Sequence, residues 1–322
     1  MPLDSPVRQV GRHYRSPLGW ARGLALSWGV LALVILADVA FTTDPSGLPS
    51  WSDSPAAAGT SATLGTPVAT GATAGLAAEP RGMVTATIPE GLQNSIDHIL
   101  RGAEGYRVGV ALSPVAGGDT RTYGDESAFV AASTAKLITA AAYYHLVEVG
   151  EATLEQQVGD YSAAFQLEAM INTSNNDSWL LLMAAVGYPD LIQYAASIGI
   201  TYDPQQNLLT PKEMALFLRQ LCLGDLLNPE DTGQLLSYMQ NTNVEGLIPA
   251  ASGPNTTVHH KYGQIDGSLH DVALLSVRET AYVLVIYTEG ADSTDLDARI
   301  EMIHELTETI VDAVFPFPEA RG

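Results

Sequence analysis

Apolar residues recur along this chain at two spacings, and the switches between them divide it. Ile88, Leu92, Ile96 and Ile99 fall at helical spacing and predict an amphipathic helix over 88–101. Residues 106–112 (YRVGVAL) read as a strand, and a turn through Gly117-Gly118 leads to a second at 120–123. Helical patterning then dominates, with elements predicted at 135–149, 164–172, 178–186, 191–198, 211–223 and 231–239. Strands return at 257–263, 270–276 and 281–287. A last helix over 296–314 follows a capping region at Asp292-Ser293-Thr294.

This order predicts an α+β fold: one antiparallel sheet covered by the terminal helices, an α/β/α sandwich, with the central helices inserted as an all-helical lobe. The folded domain is placed at 87–318, with a sheet lobe at 87–125 plus 250–318 and a helical lobe at 126–249. The cleft between the lobes is the natural site.

Ahead of that domain the pattern differs. Arg8, Arg12, Arg15 and Arg22 lie within residues 1–22, and 23–37 (GLALSWGVLALVILA) carries no charge. With Val39 to Phe41 the apolar stretch is long enough to span a bilayer if Asp38 sits at the far interface. The arginines place residues 1–22 in the cytoplasm, 23–41 as a transmembrane signal-anchor, and the rest outside the cell membrane. Secretion after signal cleavage is the alternative. Residues 42–86 are built from Ala, Thr, Ser, Gly and Pro, and read as a disordered tether.

Composition narrows the chemistry. The chain has 322 residues and a net charge of −21, so it repels phosphate backbones and nucleic-acid binding is a poor fit. One cysteine, Cys222, rules out an intramolecular disulfide; its apolar setting reads as a buried thiol. No metal site has convincing spacing, His259 and His260 falling on opposite faces of a strand, and no cofactor is expected. The lysines are Lys136, Lys212 and Lys261 alone. Lysine can lose its proton where arginine cannot, so a chain this poor in lysine keeps it where an ammonium is chemically required.

Three clusters carry candidate chemistry. In Ala-Ala-Ser-Thr-Ala-Lys (131–136), Ser133 sits at a helix N-terminus with Lys136 one turn along, within reach of its hydroxyl. In Ser174-Asn175-Asn176, a hydroxyl and an amide two residues on can relay a proton and hold a substrate amide. In His259-His260-Lys261-Tyr262-Gly263, a strand lysine offers a cation to a carboxylate, and the glycine lets a substrate backbone approach. Each alone also reads as a helix cap or an ordinary strand lysine; together they do not.

With all three present, the sequence resembles the penicillin-recognising serine enzymes, whose S-x-x-K, S-D-N and K-T-G set is a standard signature, and most closely the class A β-lactamases. The likeness extends over about 88–316, through FVAASTAKLITAAA, TSNNDSWLLLMAAVGYPDLIQYAASIGI, LLTPKEMALFLRQL and VHHKYGQIDGSLHDVALL. It implies a serine β-lactamase/D,D-peptidase-like fold and the following roles. Ser133 is the acylated nucleophile, Lys136 its general base or base partner, and Ser174 the proton shuttle towards the leaving nitrogen. Asn176 holds the acylamide side chain, Lys261 and Gly263 line the carboxylate side, and the backbone N–H groups of Ser133 and Gln264 form the oxyanion hole.

Two departures bear on turnover. Where the family carries a deacylating glutamate on its Ω-loop, this chain has a short TYDPQQNLLT with Asp203 as the only acid, and Tyr262 replaces the threonine or serine of the third motif. Acylation of Ser133 by β-lactams or by related peptidoglycan stem peptides is expected, with slow deacylation. A D-alanyl-D-alanine peptidase and a non-hydrolytic cell-wall sensor are the alternatives. The chain is expected to be a monomer held at the membrane by its N-terminal helix.

Overall fold

A computed structural model describes residues 83–291 and 295–316. The expectations for residues 1–22, the anchor at 23–41, the tether up to residue 82 and the cap at 292–294 lie outside the described residues. Residues 83–86, expected to end the disordered tether, instead run along the domain, with the Val84 and Ala86 N–H groups donating to Glu279 O and Ala116 O and Ala86 buried. Among the described residues, no helix is long and apolar enough to cross a membrane.

Helix α1 (Leu92–Arg101) buries Leu92, Ile96 and Ile99. It starts later than the apolar spacing predicts. Ile88 precedes Pro89, and a residue before proline is pushed out of the helical region, so Ile88 is buried as extended chain. Strands β1 (Arg107–Pro114) and β2 (Arg121–Gly124) follow, then the two-residue strand β3 (Phe129–Val130). A 3₁₀ turn (Ala132–Ala135) leads into α2 (Lys136–Glu148).

The helical lobe continues through the short strands β4 (Gln157–Val158) and β5 (Tyr161–Ser162) and the helices α3 (Ala163–Asn172), α4 (Asn176–Val186) and α5 (Tyr188–Ser197). Strand β6 (Leu208–Leu209), α6 (Pro211–Leu223) and α7 (Pro229–Tyr238) complete it. Helix α6 has sharp ends for local reasons. Thr210 and Glu213 form a reciprocal capping box at its start, Pro211 occupies its first turn, and Gly224 closes it in the left-handed conformation. After the short α8 (Ile248–Ala251) come β7 (Thr257–Ile265), β8 (Ser268–Val277), β9 (Thr280–Glu289) and the closing helix α9 (Leu296–Val314).

The five long strands form one antiparallel sheet in the order β2-β1-β9-β8-β7. Alternation along β9 separates two cores. Val283, Val285 and Tyr287 face the helical lobe, whereas Tyr282, Leu284 and Ile286 face the terminal helices α1 and α9. The sheet is therefore covered on both faces. Strand β7 lies at its edge, and the 3₁₀ turn packs against that edge.

Candidate active site

The site begins where two remote segments pin the 3₁₀ turn. Phe129 and Val130 pair with Leu209 and Leu208, and the Ala131 N–H donates to the Asn207 carbonyl at 2.8 Å. Ala132 then takes a left-handed φ of 49°, costly for a residue with a Cβ. Asn207 holds it there. Its Nδ2 donates to the Ala132 carbonyl at 3.2 Å, and its Oδ1 accepts from the Tyr202 hydroxyl. Thr134 Oγ1 donates to the Ala131 carbonyl at 2.7 Å and lies 2.8 Å from the Tyr287 hydroxyl. Ser133, inside this clamp, is 4% exposed.

Ser133 thus sits on a 3₁₀ turn, one step before the α-helix whose N-terminus the sequence assigns to it. Lys136, the first residue of α2, is fully buried. Its Nζ lies within hydrogen-bond distance of four oxygens, Ser133 Oγ at 2.9 Å, Ser174 O at 2.7 Å, Ser174 Oγ at 3.1 Å and Asn176 Oδ1 at 2.6 Å, which share its three N–H groups. The Trp179 ring, 5.2 Å from Nζ, adds an aromatic wall. Ser174 aims both of its oxygens at the lysine by adopting a φ of 57° between α3 and α4. The side chain of Asn175 caps α4 by accepting from Ser178 N, which leaves Asn176 to face Lys136.

Strand β7 forms the opposite side. A Cβ built on Gly263 would lie 3.0 Å from Ala131 O, Ser133 N and Thr134 N, so only glycine lets the strand come this close to the serine turn. Gln264 follows it, half-buried and paired with Leu269. Lys261, 1% exposed, donates from Nζ to the Tyr262 carbonyl at 3.0 Å, with its ammonium 4.2 Å from the centre of the Tyr262 ring. The Tyr262 hydroxyl lies 3.5 Å from Asn243 Nδ2, which also donates to the Thr173 carbonyl, next to Ser174. Ser133, Lys136, Ser174 and Asn176 therefore form one hydrogen-bonded cluster against Gly263, with Lys261 and Gln264 on the same strand.

Two histidines back this wall. His260, 1% exposed, shares its Nδ1 with both Asp271 oxygens, and its Nε2 lies 2.9 Å from Thr242 Oγ1 and 3.3 Å from Glu245 Oε1. Burial opposes charging of the imidazole, but the Asp271 and Glu245 carboxylates outweigh it and hold its pKa up at about 9. His270, fully buried, bonds Val130 O and accepts from Thr288 N; burial pushes its pKa down to about 4. Among the described residues, no cluster of three or more His, Cys, Asp or Glu side chains is placed to hold a metal ion.

Two hydroxyls, each in hydrogen-bond contact with the same buried amine, are a constellation suited to acyl transfer. Comparison with known proteins agrees: a family model described as the beta-lactamase enzyme family matches residues 91–314. The chain belongs to that family. A beta-lactamase of Proteus vulgaris is 25% identical over 268 residues, covering 71% of this chain and 89% of the relative. Beta-lactamase CTX-M-8 of Citrobacter amalonaticus is 25% identical over 251 residues, covering 66% and 86%. Among solved structures, an ancestral class A beta-lactamase superposes with a TM-score of 0.63 at 26% identity, covering 69% of this chain and 99% of that one. PBP-A shares the fold, with a TM-score of 0.67 at 21% identity over 73% of this chain and 100% of that one.

This family member departs from the pattern where its sequence says it should. Asp203 spends both carboxylate oxygens on its own turn, accepting from Gln205 N at 2.9 Å and Gln206 Nε2 at 3.0 Å. Asn207, at the end of the same turn, is the site residue that sequence reasoning missed. The signal available was an amide closing a short Asp-Pro loop, but nothing local shows that it docks on residues 131 and 132.

Proposed function

We propose that this chain is a serine hydrolase of the class A beta-lactamase type that forms an acyl-enzyme at Ser133. Its acyl donors are β-lactams or the acyl-D-alanine groups of peptidoglycan stem peptides. The observation that carries the reading is the 2.9 Å contact between buried Lys136 Nζ and Ser133 Oγ. In its neutral form Lys136 takes the proton as Ser133 Oγ attacks the carbonyl carbon. The carbon–nitrogen bond breaks and an ester replaces it. Ser174, 3.1 Å from Lys136 Nζ, passes a proton to the leaving nitrogen. The N–H groups of Ser133 and Gln264 hold the oxyanion, each such donor contributing about 3 kcal/mol.

Release is the slow half-reaction. Asp203 is occupied by its own turn, and a water activated from there would need that turn to open. The same observation favours, as a second reading, a D-alanyl-D-alanine peptidase that releases its acyl group slowly. The apolar stretch at 23–41 behind four arginines supports a cell-membrane anchor with the domain outside. Incubation with a fluorescent penicillin, followed by intact mass over time, tests the proposal. A persistent Ser133 adduct is expected; no label on Ser133 would sink it.

A further inference from the structure

The Lys261 ammonium is where a substrate carboxylate would be received, yet it is 1% exposed and faces an aromatic ring 4.2 Å away. That ring belongs to Tyr262, which leaves β7 on the face opposite Gly263 and packs in part on the core beneath the terminal helices. The lysine side chain reaches round to it, donating to the Tyr262 carbonyl on the way. The far end of the ring is tied as well: the Tyr262 hydroxyl meets Asn243 Nδ2 at 3.5 Å, and the same amide donates to Thr173 O. Asn243 is further fixed by its backbone N–H, which donates to Asn172 O at 3.2 Å. The ring therefore bridges β7 to the loop that carries Ser174.

Position makes this matter for a ligand. Tyr262 is one residue from Gly263, which packs against the Ser133 backbone, so its backbone lies about one strand rise from that contact. An arriving carboxylate loses its water shell and regains energy only by direct contact with the ammonium. Here it meets an aromatic face, whose quadrupole is negative. The overall charge of −21 repels it at longer range.

We propose that Tyr262 sets substrate selectivity at this site. It covers the Lys261 ammonium, so that acyl donors with a neutral, esterified or amidated end react about as readily as those with a free carboxylate. The inference rests on acyl-enzyme formation at Ser133.

The test compares benzylpenicillin with its methyl ester on the full chain, reading Ser133 ester formation by intact mass for wild type, Tyr262→Thr and Tyr262→Phe. In wild type the two probes should acylate within roughly threefold of one another. Tyr262→Thr should speed the free acid by about tenfold or more while leaving the ester little changed. Tyr262→Phe keeps the ring and should keep the wild-type ratio. A wild type that favours the acid by about tenfold refutes the inference, as does a Tyr262→Thr protein with an unchanged ratio. Should Tyr262→Thr fail to fold, the wild-type and Tyr262→Phe ratios still decide it. No labelling of Ser133 by either probe refutes the acyl-transfer reading and this inference with it, whereas labelling with the wrong ratio refutes this inference alone.

Discussion

Replacing Gly263 by alanine adds one methyl group at the closest approach between β7 and the serine turn. The new carbon would sit 3.0 Å from three backbone atoms, Ala131 O, Ser133 N and Thr134 N. Such a contact is tighter than nine in ten that a Cβ makes, so strand and turn must give by a few tenths of an ångström. None of the three atoms can rotate aside as a side chain would, and the turn is already clamped by Asn207 and Thr134. Overpacking of this kind costs about 1–3 kcal/mol, and the lower entropy of an unfolded chain carrying alanine returns less than about 1 kcal/mol. The net loss of about 1–2 kcal/mol corresponds to a melting temperature lower by about 2–8 °C for a domain this size. The larger effect falls on chemistry, because separating Ser133 from the strand that carries Gln264, the second oxyanion donor proposed above, should slow acylation by about tenfold to a hundredfold. Gly91→Ala is the control: its added carbon meets nothing within 4 Å and its backbone is already helical. Stopped-time labelling with a fluorescent penicillin and a thermal melt would be run on both. If Gly263→Ala labels and melts as Gly91→Ala does, the close approach has no role and the argument fails.

Lys136→Met should cut acylation by about a hundredfold or more, the usual range for a general base, with Ser133 labelling as the readout. The two buried histidines give stability opposite pH limbs. His260 is held up at about 9, so its contribution is complete below about 6.5 and is lost as pH rises through 9; urea titrations should show this limb flatten in His260→Gln. His270 is held down at about 4, so stability should fall as pH drops from about 6.5 towards 4; a flat profile between pH 4 and 9 would contradict both assignments. Burial pushes the partly buried Cys222 thiol up to about 12, so maleimide should modify the folded chain far more slowly than the urea-unfolded chain.

The sequence marks its elements best where cap and period agree. Helix α6 runs over the span predicted for it, with Thr210, Pro211 and Gly224 at its ends, and α9 keeps the bounds its period predicts. The five-stranded sheet follows from β-rich runs at both ends of the chain. The spacing of Ser133 to Lys136 is likewise readable, because residues three apart share a face. What is not readable depends on partners remote in sequence. The β3–β6 pairing joins residues 129 and 209 through only two positions, too short for any periodicity. Asn207 looks like a loop residue until its contact with Ala132 is seen. Strict strand alternation sends Lys261 and Tyr262 apart, and the flexibility of a lysine side chain undoes that rule.

The serine turn has a consequence for how the chain folds. Its fixings come from far along the polypeptide: Lys136 to Ser174 across 38 positions, Asn207 to Ala132 across 75, and Thr134 to Tyr287 across 153. Each contact closes a loop whose entropy must be overcome before the contact forms, and the longest cannot exist until β9 has been laid down. Helices can therefore be present, and the lobe half-built, while Ser133 is still an ordinary alcohol. Reactivity should return last in a refolding experiment, behind helical circular dichroism, so that a partly folded chain stays chemically silent.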